Sequence, residues 1–139
     1  PGPKVKPENV SLIGVRDLDE KEKKLIKKSG CAVYTMRDVD EIGIRAVLAR
    51  TLKQFKHLKK IHISLDLDVM DPLDAPGDGT PSPGGLTYRE GQLIMEIIAD
   101  TGKLHSADLM EINPILDIQN RTAQMAVNLV TSLLGKKIL

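Results

Sequence analysis

Apolar positions along this chain recur at two spacings that take turns, and each change of spacing marks a strand handing over to a helix. Ile61, Ile63, Leu65 and Leu67 alternate with His62, Ser64, Asp66 and Asp68, the period of a strand whose successive side chains point to opposite faces. Shorter apolar runs predict strands over Val10–Val15, Cys31–Met36 and Ser106–Ile112. A helix is predicted over Glu20–Ser29, with Asp17 or Asp19 as its cap and Gly30 as its stop. A second is predicted over Asp38–His57, with Val39, Ile42, Ala46, Ala49, Leu52 and Phe55 inward. A third opens on a Thr87/Glu90 capping box and runs to about Asp100, before Gly102. The last covers Arg121–Leu134, capped by Asn120, with Ala123, Ala126, Val127, Val130 and Leu134 inward. Pro1, Pro3 and Pro7 make positions 1–9 an entry loop.

This alternation predicts an α/β fold of three layers, α/β/α, with a mostly parallel sheet and ligands gathering beyond the strands' carboxyl ends. Acidic residues stand at those ends: Asp19 after the first strand, Asp66 with Asp68 after the third, and Glu111 near the end of the fourth. On an extended strand Asp66 and Asp68 share a face, about 7 Å apart. They repel each other unless a cation or a proton intervenes, and two hard oxygen donors suit Mg²⁺, Mn²⁺ or Ca²⁺ better than Zn²⁺ or copper. The plain alternative is a strand ending in a solvated acidic loop. A calcium loop counted from Asp66 is excluded, because its fifth, sixth and twelfth positions are Met70, Asp71 and Gly77. Asp-Leu-Asp-Val after a strand also resembles the nucleophile motif of haloacid-dehalogenase-type phosphatases.

Composition narrows the partners. The 139 residues are one domain's worth, and 20 Lys and Arg against 19 Asp and Glu give a net charge of +1, no electrostatic case for nucleic acid or an anionic membrane. A small-molecule partner is expected. Cys31 is the single cysteine, which excludes an intrachain disulfide, fits a reducing compartment and reads as a buried strand residue. No apolar run approaches the roughly 18 residues of a membrane span, and Pro1-Gly-Pro-Lys lacks the apolar region of a signal peptide, so a cytoplasmic location is expected. His57 ends a helix, His62 begins a strand and His105 falls in a loop, so none stands beside Asp66.

A longer string decides between these readings. Ser64-Leu-Asp-Leu-Asp, Asp71-Pro72, Ala75-Pro76-Gly77, Gly79-Thr80-Pro81, Gly84-Gly85-Leu86 and Tyr88-Arg89-Glu90 follow one another in an order that closely resembles the ureohydrolase signature. The Tyr-Arg-Glu ending, Arg16-Asp17-Leu18-Asp19 and Glu111-Ile112-Asn113-Pro114 resemble arginase in particular. One departure is Val69-Met70, where the family commonly has a small residue first.

The resemblance implies a site with two Mn²⁺ ions, for which Asp66 and Asp68 are ligands, and hydrolysis of L-arginine to L-ornithine and urea. It implies that Glu111 holds the guanidinium and that Asp19 touches the α-amino group, with Glu22 a weaker candidate; Thr80 resembles a further substrate contact. It also implies a homo-oligomer, trimer or hexamer, with Arg89 in a subunit contact and Asp40 as its partner. The whole chain, 1–139, resembles the C-terminal portion of a single arginase-like α/β domain, and Gly135-Lys-Lys-Ile-Leu resembles a family terminus. The His and Asp ligands of two earlier strands, a proton-shuttling His and the α-carboxylate contacts have no counterpart, so no catalytic residue is expected within this chain and it is expected to be inactive alone. Agmatinase or another ureohydrolase is the nearest alternative; a phosphatase or a non-catalytic fragment stands further off.

Overall fold

Each predicted change of spacing becomes a strand and a helix in the computed structural model, which describes residues 4–137 and 139. The chain divides into two compact units, one ending at His57 and the other starting at Leu58.

In the first unit, β1 (Ser11–Val15) runs parallel to β2 (Ala32–Thr35), and α1 (Glu20–Ser29) joins them. Asp19 starts α1. Its Oδ1 accepts the N–H groups of Lys21 and Glu22 at 2.6 and 2.8 Å, and Glu22 accepts the Asp19 N–H at 2.8 Å. Acids in the first turn and Lys27 and Lys28 in the last complement the helix dipole. Cys31 is half-buried and lies just ahead of β2 rather than inside it. The entry loop holds one 3₁₀ turn, Pro7–Asn9, while residues 1–3 lie outside the described part.

The single helix expected over 38–57 is two. Thr35 and Asp38 form a capping box that starts α2 (Met36–Ile42) two residues early, and Gly43, at φ 79° and ψ 150°, breaks the helix before α3 (Ile44–Gln54). An L side chain at that φ is strained, and glycine is not. The break resets the phase, so Ile44, Val47, Leu48 and Thr51 join Val39 and Phe55 in the core, whereas Ala49 is exposed. A 3₁₀ turn, Phe55–His57, closes the unit, with His57 bonded to Asn9 at 2.9 Å.

In the second unit, β3 (Ile61–Asp66) runs parallel to β4 (Leu104–Met110), with α4 (Tyr88–Asp100) between them in the chain. The expected Thr87/Glu90 capping box opens α4. His105 lies within β4, not in a loop, because the strand starts at Leu104. Parallel pairing in both units agrees with the predicted α/β class.

The last helix, α5 (Arg121–Leu133), differs from expectation twice. Its inward stripe is Thr122, Met125, Ala126, Leu129, Ser132 and Leu133, packed beside α4, while Val127 and Leu134 face solvent. Counting buried polar residues at helical spacing rotates the face away from the purely apolar reading. Asn120 holds the N-cap position, as expected, but it is left-handed, at φ 59°, and its side chain makes no capping bond. Asp117 caps instead, accepting the Thr122 and Ala123 N–H groups at 3.0 and 3.1 Å.

Burial alone would raise the Asp117 carboxyl, but the Thr122 and Ala123 amides, the Thr122 hydroxyl and the Ile118 amide outweigh it and hold its pKa below the usual carboxylate value. A carboxyl depressed by folding adds stability above its unfolded pKa, about 3.9, and loses it as pH falls through the lower folded value. Asp117→Ala is therefore expected to cost about 1 kcal/mol at neutral pH, with the gap to the parent closing below about pH 4. Urea unfolding midpoints at several pH values read this directly. A gap independent of pH would show that the carboxylate is not its source.

Candidate active site

The hydrogen-bonded ladder of β3 ends at Asp66, opposite Met110, the last residue of β4. Because the strands are parallel, their carboxyl ends share one edge, and Glu111 follows immediately on the neighbouring strand. Asp66 and Glu111 thus sit at the edge where parallel sheets bind ligands.

Asp68 is not on the strand as expected. Leu67–Val69 is a 3₁₀ turn started by Asp66, whose carboxylate accepts the Asp68 N–H at 3.3 Å. The alternation of burial survives through Leu65, and buried Leu67 anchors the turn. One carboxylate therefore starts a tight turn and the other sits within it, instead of both lining one strand face.

Glu111 has φ 60°, a left-handed backbone that a glutamate rarely adopts. Its side chain is exposed and makes no hydrogen bond or ion pair among the described residues. Such outliers cluster at functional sites, where the surroundings hold the backbone against its preference.

The long connection from Asp68 to Thr87 is held by carboxylates acting on backbone amides. Asp71 accepts the N–H groups of Leu73, Gly84 and Gly85 at 2.9, 2.8 and 3.2 Å, and Asp74 accepts that of Tyr88 at 2.8 Å. Met70 bridges to Leu86, and both are almost fully buried. Thr80 is exposed, and its N–H reaches the carboxylate of buried Asp78 at 3.2 Å. Sequence reading gave a ligand role to Asp66 and Asp68 and none to Asp71, Asp74 or Asp78, so the scaffolding role of these three was missed. The available signal was an Asp two residues ahead of an amide it can accept, as in Asp71-Pro-Leu.

Asp19 belongs to the first unit, where both capping amides go to its Oδ1; Glu22 is the reciprocal member of that box. His62 bridges Ser106 at 2.9 Å and Asp108 at 3.2 Å across the exposed face of the β3–β4 pair. Arg89 forks onto Glu96 within the chain, both contacts 3.1 Å. Two oxygen donors fit a hard divalent cation in kind but not in number, and no group of three His, Cys, Asp or Glu that could hold a metal ion occurs among the described residues.

Comparison with known proteins bears on the family of the chain. The arginase family model matches residues 2–135. The chain is 54% identical to an arginase of Bacillus subtilis over 137 residues and 52% identical to one of Bacillus caldovelox over 138, in each case 99% of this chain and 46% of the relative. It therefore spans about half the length of the curated relatives it matches. A 1.7 Å crystal structure of the Bacillus subtilis arginase superposes with a TM-score of 0.95 over 99% of this chain and 47% of that one. With the family match covering nearly every residue and the folds agreeing this closely, this chain belongs to the arginase family.

Proposed function

We propose that the complete protein hydrolyses L-arginine to L-ornithine and urea, and that this chain contributes part of the metal site and the guanidinium clamp. The observation that carries the reading is Glu111, an exposed carboxylate on a left-handed backbone, one residue beyond the ladder partner of Asp66. A carboxylate there can accept two parallel N–H bonds from a guanidinium, a charge-assisted geometry that rejects uncharged or singly donating groups.

Asp66 and Asp68 are the residues that would hold Mn²⁺, two ions per complete site. When bound, the metal supplies Lewis acidity that makes water nucleophilic near neutral pH. The chain's own work is orientation. Glu111 fixes the guanidinium plane, Thr80 offers a hydroxyl to the substrate, and Asp19 accepts the α-ammonium; Asp19 and Thr80 are assigned on family resemblance. The reading extends to a homo-oligomer, trimer or hexamer, and to a cytoplasmic setting, in keeping with a chain whose single cysteine is free.

The test is steady-state kinetics of the complete, Mn²⁺-loaded protein on arginine and agmatine, following urea. Arginine is expected to have the higher kcat/KM: agmatine carries the same guanidinium and amine but lacks the α-carboxylate, and Arg16-Asp17-Leu18-Asp19 and Glu111-Ile112-Asn113-Pro114 resemble the arginase pattern. Equal or faster turnover of agmatine would replace this reading by agmatinase.

A further inference from the structure

Between the loop after β3 and the segment after β4 lies a short chain of bonds centred on Gly77. Its N–H donates to the Thr122 hydroxyl at 2.7 Å, and its carbonyl accepts the Asn113 N–H at 2.8 Å. Thr122 is completely buried in the first turn of α5 and, like Ala123, is held from behind by the Asp117 carboxylate. The same turn reaches the loop a second time, where the Arg121 guanidinium donates to the Leu73 carbonyl at 2.6 Å. The approach at Gly77 leaves no room: an added Cβ would lie 2.7 Å from the Asp117 Cβ and 2.9 Å from the Thr122 hydroxyl oxygen.

Gly77 stands on the arm that carries Asp66, Asp68 and Thr80, and Asn113 stands two residues after Glu111 on the other arm. We propose that Thr122, through its buried hydroxyl bond to the Gly77 amide, is a positioning residue that sets the separation of these two arms. The proposal rests on the arginase reading for its catalytic consequence but not for its mechanics. A valine at 122 has the same shape and no acceptor, so the Gly77 N–H loses its partner and the loop must shift to find another. Serine keeps the acceptor. Because a misplacement of about 1 Å between reacting groups can cost about 100-fold in rate, a modest loop shift is enough to register in kcat.

Two measurements on Thr122→Val and Thr122→Ser test it. In the complete protein, Thr122→Val is expected to keep its metal content and lower kcat for arginine about tenfold or more, with Thr122→Ser close to the parent. A Thr122→Val protein that melts earlier but keeps the parent's kcat and KM would overturn the proposal. Amide hydrogen exchange is the second readout and needs no turnover, so it still applies if the parent releases no urea and the arginase reading itself fails. Thr122→Val is expected to lose protection at both Gly77 and Asn113, and Thr122→Ser at neither. Loss confined to Gly77, with Asn113 protected as before, would show that the arms are not coupled through this bond.

Discussion

Glu111→Gln in the complete protein is expected to lower kcat/KM for arginine at least about 100-fold while both metal ions stay bound. The substitution keeps shape and backbone but removes the negative charge and one of two acceptors. Charge-assisted bonds of this kind contribute roughly 1.5–3 kcal/mol each, and every 1.4 kcal/mol corresponds to about tenfold in rate. Glu111 has no hydrogen-bond or ion-pair partner among the described residues, so the change disturbs no existing network. The loss should fall on kcat as well as KM, because the clamp also orients the reacting carbon. Full metal occupancy with unchanged kcat/KM would refute the guanidinium assignment and weaken the arginase reading with it.

Asp66→Ala is expected to have the larger effect, with metal and activity lost together. Asp66 has two tasks: it offers a carboxylate at the strand edge, and it starts the turn that presents Asp68. Alanine removes one donor and releases the other, and ligands held by a preformed turn lose affinity when the turn is free to rearrange. Metal analysis beside urea release separates this from a solvated acidic loop, for which neither quantity would change. Asp66→Asn keeps a turn-forming oxygen, so it should retain more metal than Asp66→Ala.

Much of this architecture could be read from periodicity and caps. The alternation at Ile61–Leu65 matches burial residue by residue, and Asp19 and Thr87 cap the helices they precede. The errors have physical causes. Gly43 falls inside the helix predicted over Asp38–His57, where a glycine costs only about 1 kcal/mol, but its φ ends one helix and starts another. Asn120 has the composition of a cap, yet Asp117, three residues earlier, brings a charge and two oxygens to the same amides. Buried Thr122 and Ser132 rotated α5 away from its apolar reading. At the site, the aspartates were singled out through resemblance to a long signature. The 3₁₀ turn under Asp68 was not, because a period of two shows where alternation begins and not where hydrogen bonding stops.

The left-handed backbone at Glu111 sets stability against function at a single position. Glycine adopts φ 60° without penalty, whereas a residue with a Cβ carries roughly 1–2 kcal/mol there, so Glu111→Gly removes strain from the native state and offsets part of its own entropic cost. A search for a hardier protein guided by backbone energies alone would be drawn to this substitution. It would delete the carboxylate proposed to clamp the guanidinium, an exchange of activity for stability located at one torsion angle.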